Sequence, residues 1–105
     1  MKVASFNVNS IRARLPIVLD WIQKESPDVL CLQETKVPDA DFPQTAFKDI
    51  NYSVVFRGEK SYNGVAILSK IPLKNVQMGF DEYESEGTRL IIATVNKITI
   101  VNTYV

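Results

Sequence analysis

The sequence predicts an α/β fold, a strand–helix–strand opening followed by a mainly antiparallel run of strands. Three observations carry this. Lys2 to Val8 alternates at period two, and Leu15 to Lys24 carries apolar groups at helical spacing. Beyond Tyr52 the apolar residues come in short, β-branched runs separated by turn residues.

In the first strand Ala4, Phe6 and Val8 point one way, and Val3, Ser5, Asn7 and Asn9 the other. The helix sets Leu15, Val18, Leu19 and Ile22 on a broad apolar face, with Ile17 and Trp21 beside them. Pro16 is expected at its start, where a missing N–H costs nothing. Ser26-Pro27 ends it, because the residue before proline avoids the α region. Asp28 to Gln33 is a continuous apolar run, expected as a central buried strand. Strand, helix and strand in this order suggest a crossover unit.

Pro38 to Asp49, with Asp39, Asp41 and Pro43, reads as a loop carrying a short helix. Tyr52 to Arg57 is strand-like, Gly58 to Gly64 a turn-rich connection, and Val65 to Ser69 another strand. A weak strand follows Pro72, from Lys74 to Met78, and Gly79 to Gly87 is an acidic loop. Arg89 to Val95 and Ile98 to Val105 are strands joined by Asn96-Lys97 as a hairpin. With no repeat, low-complexity tract or linker, residues 1–105 read as one unit.

Composition narrows the function. A hydrophobic content of 46% argues against disorder. Lys plus Arg equals Asp plus Glu at 12 each, so any DNA affinity must come from a local basic patch. No apolar stretch approaches the roughly 20 residues of a membrane helix. The start of the chain turns polar too soon for a secretory signal. The single cysteine, Cys31, lies within an apolar run and reads as a buried hydrophobe in a reducing compartment. It excludes an internal disulfide, and the default location is the cytoplasm.

The chemistry-bearing residues cluster at strand ends. Glu34 follows the central strand, and open α/β sheets bind ligands at strand carboxyl ends. A carboxylate there suits Mg²⁺, which needs only one or two protein carboxylates. Read alone, it is also an ordinary solvated glutamate. Asn7 and Asn9 share a strand face, and asparagine is a poor strand former. They mark either an early turn or a polar site.

Lys36 reads as a surface lysine, a partner for Glu34 or a phosphate contact. Tyr104 closes a β-branched strand and is either amphipathic core or a hydroxyl donor to phosphate. Arg12 and Arg14 follow the first strand, as a solvated helix lead-in or as DNA-backbone contacts. Tyr62-Asn63-Gly64 is either a tight turn or a substrate-facing loop. Asp81, Glu82, Glu84 and Glu86 lack the ligand order of a calcium loop and read as solvated.

In conjunction these segments are specific. Phe6-Asn7-Val8-Asn9, then Ser10-Ile11-Arg12-Ala13-Arg14, then Pro27-Asp28-Val29 into Leu32-Gln33-Glu34-Thr35-Lys36 resemble the opening of exonuclease III type apurinic/apyrimidinic endonucleases. Tyr62-Asn63-Gly64-Val65-Ala66, Arg89 to Ala93, and Val101-Asn102-Thr103-Tyr104 extend the resemblance over essentially the whole chain. The Gln-Glu pattern is shared across the endonuclease/exonuclease/phosphatase superfamily, and the adjoining Thr35-Lys36 favours its DNA-repair branch.

The resemblance implies the N-terminal half of a four-layer α/β sandwich, two facing mixed sheets flanked by helices. It implies Glu34 as ligand to a catalytic Mg²⁺ or Mn²⁺, with Asn7 supporting the metal and nucleophile. Tyr104 would hold the scissile phosphate, Lys36 would steady the polar network or contact DNA, and Asn9 would stand behind it. Arg12 and Tyr62 would contact DNA. The implied partner is double-stranded DNA with abasic sites or 3′ ends.

The chain also departs from that family. The later aspartates, the Asp/Asn pair and the histidine are not in it, and it has no histidine at all. The expectation is therefore an incomplete domain, inactive alone, that self-associates or needs its missing C-terminal half. An inactive half-domain that binds DNA or a partner is the alternative. So is a superfamily phosphodiesterase acting on lipids or inositol phosphates.

Overall fold

A computed structural model describes residues 1–59, 63–78 and 89–104. Tyr62, the acidic stretch with Asp81, Glu82, Glu84 and Glu86, and Val105 lie outside them.

The opening folds as a crossover unit. β1 (Val3–Asn7) runs parallel to β2 (Val29–Gln33), with α1 (Ile11–Glu25) between them in sequence. The helix starts earlier than its apolar spacing suggests. Ser10 caps it, accepting a hydrogen bond from the Ala13 N–H at 3.3 Å, so Pro16 lies inside the helix and not at its start. Its missing N–H leaves the Arg12 carbonyl without the usual partner four residues on, a cost offset by burial of Ile11, Val18 and Ile22. Ser26 ends the helix in the left-handed region, and its N–H bonds the Ile22 carbonyl. That conformation, like an extended one, avoids the αR clash before Pro27.

The connection after β2 holds a 3₁₀ turn (Asp39–Asp41) and α2 (Gln44–Lys48), as the loop reading expected. β3 (Ser53–Arg57) pairs antiparallel with β4 (Val65–Ser69), which pairs antiparallel with β2. The first sheet is therefore mixed, in the order β1-β2-β4-β3. The second contains β5 (Lys74–Met78), β6 (Leu90–Val95) and β7 (Ile98–Thr103) in that order. Its described pairings are all antiparallel. The β6–β7 hairpin turns through Asn96 and Lys97, both at positive φ, the geometry of a two-residue type I′ loop.

Two cores separate the layers. Ile11, Val18 and Ile22 of α1 pack with Phe42 and Phe47 against Leu30, Leu32, Ala66 and Leu68 of the first sheet. On the opposite face Val29, Cys31, Val65 and Ile67 meet Ile91, Ala93, Val95 and Ile100 of the second sheet. β2 and β4 are thus covered on both sides, which explains their uninterrupted apolar runs. The layers run helix, sheet, sheet, as expected for part of the four-layer sandwich. Among the described residues no helix is long and apolar enough to cross a membrane.

Burial pushes the Cys31 thiol up to about 11. Native protein at pH 8 is expected to resist a disulfide thiol reagent and to react fully in denaturant, because the thiolate is the nucleophile. Fast native labelling would contradict this packing.

β1 and β7 are each at the end of a sheet and border one open cleft, lined by Val3, Ser5, Cys31, Gln33, Ile100 and Asn102 among others. Val3 is 50%, Ile98 47% and Val101 56% exposed, so apolar side chains line both edges.

Candidate active site

The site is built first by backbone. β2 ends at Gln33, and the next three residues form a tight loop with Glu34 at φ 56° and Lys36 at φ 57°. Neither residue type favours the left-handed region, so the surroundings must impose it. They do so from two sides. The Ser10 and Ile11 N–H groups donate to the Glu34 and Thr35 carbonyls at 2.8 and 3.0 Å. The Thr35 and Lys36 N–H groups donate to the Gly64 and Asn63 carbonyls at 3.2 and 3.0 Å. The neighbouring Asn9, Ser10, Asn63 and Gly64 also have positive φ. Strained backbone thus gathers where β1, β2 and the start of β4 meet, a pattern common at functional sites.

Gly64 is required there. At φ +97° an added Cβ would lie 2.0 Å from the Thr35 Oγ1. Thr35 is itself buried, and the clash would push on the loop carrying Glu34. Gly64→Ala is expected to cost about 1–3 kcal/mol, read as a lower urea midpoint. An unchanged midpoint would contradict the packing.

The side chains converge on Glu34. The Tyr104 hydroxyl and the Asn7 amide donate to its carboxylate, and the Lys36 ammonium lies 3.6 Å from Oε2. The Tyr104 bond, then the Asn7 bond, hold the Glu34 carboxyl below its usual range, against the opposing effect of burial and with help from the Lys36 charge. The same bond and the Glu34 charge raise the Tyr104 hydroxyl above its ordinary value, with burial adding and Arg89 opposing. The Arg89 guanidinium stands 6.0 Å from the Tyr104 ring centroid.

Behind this pair, Lys36 Nζ donates to Asn9 Oδ1 at 2.6 Å, and the Asn9 N–H donates to Asn7 Oδ1 at 3.1 Å. The two asparagines thus serve a turn and a polar site together. Asn7, Asn9, Glu34, Lys36 and Tyr104 are brought into one cluster from the exits of β1, β2 and β7. Arg12 is exposed in the first turn of α1, three residues after Asn9, and contributes none of the hydrogen bonds above.

The donor set suits a hard cation in part. Glu34 offers a carboxylate and Asn7 a carbonyl oxygen, while no group of three or more His, Cys, Asp or Glu gathers among the described residues. One carboxylate with water completing the shell matches Mg²⁺, whereas zinc would want more nitrogen or sulfur ligands. Asn7 Oδ1 already accepts from the Asn9 N–H, so as a ligand it would act through its remaining lone pair.

Sequence reasoning assigned no individual role to Gln33, Asn102 or Arg89, and it read Asn63-Gly64 as a turn or substrate-facing loop without seeing that their carbonyls hold the Glu34 loop. Asn102 had a readable signal. It shares a strand face with Ile100, so its amide had to find partners inside the protein. The loop carbonyls had none, because their role depends on a tertiary contact.

A mixed sheet backed by helices and faced by a second sheet, with a carboxylate and a phenol at strand exits, defines a layered α/β unit with a polar site at one edge. The chain belongs to the Endonuclease/Exonuclease/phosphatase family, whose pattern matches residues 4–105. Within it, the chain is 38% identical over 109 residues to exodeoxyribonuclease III of Haemophilus influenzae, covering 99% of this chain and 41% of that protein. It is 38% identical to the DNA repair nuclease APEX1 of Danio rerio, covering 36% of it. The AP endonuclease structure from Archaeoglobus fulgidus superposes with a TM-score of 0.97 at 48% identity, covering all of this chain and 41% of that one. A 3′ phosphatase from Neisseria bound to a product DNA hairpin superposes with a TM-score of 0.93 at 37% identity, again over 41% of its length. The chain therefore spans about two-fifths of the relatives it matches.

Proposed function

We propose that this chain is the metal-binding part of a DNA repair nuclease that hydrolyses phosphodiesters. It incises 5′ to abasic sites in double-stranded DNA and trims 3′ ends as a 3′–5′ exonuclease. The observation that carries this reading is the gathering of Glu34, Lys36, Asn9 and Asn7 at the exits of β1 and β2, with Tyr104 from the end of β7 beside Glu34. The names of the relatives support the substrate class.

Glu34, with Asn7, holds Mg²⁺ or Mn²⁺, which when bound supplies positive charge to a phosphoryl oxygen. Tyr104 donates its hydroxyl to a non-bridging phosphate oxygen and stabilises charge that accumulates there. Asn7 orients Glu34. Lys36 balances the carboxylate in the absence of DNA and turns to the phosphate when DNA is present, with Asn9 holding its ammonium. Arg12 and Tyr62 contact the DNA backbone, which positions the duplex without reading sequence. A cytoplasmic location goes with the reduced, buried Cys31.

The test is a chimera in which this chain replaces the matching two-fifths of the Archaeoglobus fulgidus enzyme. Incision of a duplex with one abasic-site analogue, present with Mg²⁺ and lost with EDTA, supports the reading. A folded chimera that binds the duplex but never cuts it favours an inactive half-domain. Preference for inositol phosphates over abasic DNA would move the chain to another branch.

By itself the 105-residue chain carries no histidine to serve as a general base, and it is proposed to be inactive. Its open β1 and β7 edges, with Val3, Ile98 and Val101 exposed, favour self-association or capture of a complementary segment. Sedimentation is expected to show a concentration-dependent mass above 11.9 kDa. A cooperatively unfolding monomer at all concentrations would contradict that.

A further inference from the structure

We propose that Asn102 is a positioning residue: through Gln33 it locks the second sheet in register on the first and so sets the Tyr104 hydroxyl against Glu34. Asn102 lies in β7 of the second sheet and is 2% exposed. Its Nδ2 donates to the Leu32 carbonyl of β2 at 2.9 Å and to the Ala66 carbonyl of β4 at 2.7 Å. Its Oδ1 accepts from Gln33 Nε2 at 2.7 Å, and that same nitrogen donates to the Ser5 Oγ of β1 at 3.0 Å. One buried amide thus ties a strand of the second sheet directly to β2 and β4 of the first, and through Gln33 to β1.

The remaining contacts between the sheets are largely aliphatic, among Cys31, Val65, Ile67, Ile91, Ala93, Val95 and Ile100. Such packing holds the sheets together but is non-directional. Hydrogen bonds weaken steeply with angle and distance, so the Asn102 amide defines a register that aliphatic packing alone leaves loose. The lock also stands at the site. Tyr104 is two residues beyond Asn102 and therefore leaves β7 on the same side. Glu34 directly follows Gln33. An error in sheet register at the lock passes to the Tyr104–Glu34 pair over one residue on one strand and two on the other. Sub-ångström placement is what a transition-state donor requires.

The inference takes its catalytic meaning from the proposed function, but its test reads geometry and needs no activity. The chain would be prepared as wild type, Asn102→Leu, Gln33→Met and Val95→Ala. The nuclear Overhauser effect between the Tyr104 ring protons and the Glu34 side chain would be measured at pH 7, with amide dispersion reporting the fold. Val95→Ala loosens the same inter-sheet core without touching the lock. The expected result is that the effect persists in wild type and Val95→Ala, disappears in Asn102→Leu, and loses at least half its intensity in Gln33→Met. If Asn102→Leu does not fold, Gln33→Met decides, because it keeps both bonds from Asn102 to the carbonyls. Full intensity in Gln33→Met, or in a folded Asn102→Leu, overturns the proposal. So does equal loss in Val95→Ala, which would make the effect one of general packing. Failure of the chimera to cut DNA leaves these outcomes as they are and bears on the proposed function alone.

Discussion

Glu34→Gln in the chimera is expected to lower Mg²⁺-dependent incision of abasic DNA by about 10³-fold or more. The glutamine keeps the shape and can still accept from Tyr104 and Asn7, so the fold and loop should survive. What disappears is the negative charge at the strand exit. A Lewis-acid contribution of several kcal/mol depends on holding the cation, and about 4 kcal/mol is a thousandfold in rate. The depressed Glu34 carboxyl is fully ionised at neutral pH, so the substitution removes a whole charge. It also leaves the Lys36 ammonium, 3.6 Å away, without its anion. Raising Mg²⁺ should recover part of the rate if weakened cation binding is the cause. Activity within tenfold of wild type, with duplex binding intact, would show that Glu34 is a solvated strand-end residue after all.

Tyr104→Phe is expected to cost about 10²–10³ in the same assay, the usual loss for a single donor to developing charge. It also makes a pH prediction. Glu34 has a lowered folded pKa, so its contribution to stability is complete above its ordinary value of 4.5 and is lost as the pH falls through the lower folded value. Tyr104 has a raised folded pKa, so its contribution is complete below its ordinary value of 10.0 and is lost as the pH rises through the higher folded value. The pair therefore supports the fold fully between these two ordinary values and falls away outside them. Urea midpoints measured against pH should show an alkaline decline above 10.0 in wild type that is reduced in Tyr104→Phe. The acid decline should shrink but persist, because Asn7 and Lys36 still favour the Glu34 carboxylate. Identical alkaline limbs in the two proteins would contradict the hydrogen bond.

Much of this was legible in the chain because its signals are local. Alternation in Lys2 to Val8, the apolar run before Gln33 and the Asn96-Lys97 turn each specify an element through neighbouring residues, and each formed where expected. The start of α1 was misread because Ser10 caps it before the apolar periodicity begins, and because a proline was assumed to stand at a helix start. Glu34, Asn7, Asn9, Lys36 and Tyr104 could be named as candidates from polarity at strand ends. Their convergence could not, since residues more than 90 positions apart meet only when the second sheet docks on the first. Asn102 shows the boundary well. Its polarity in an apolar strand was visible, but its partners are two backbone carbonyls and the Gln33 side chain, and no pattern in sequence points to them. The demand for glycine at position 64 is likewise a fact about Thr35 and the loop it holds.

The most direct measurement is titration of the ¹⁵N-labelled chain with Mn²⁺, following paramagnetic broadening residue by residue. The account predicts that the amides of Glu34, Asn7 and Tyr104 broaden first, that Mg²⁺ in excess reverses this, and that Glu34→Gln abolishes it. Uniform broadening, or broadening centred on another carboxylate and unchanged in Glu34→Gln, would contradict the claim that this strand exit is built to hold a divalent cation.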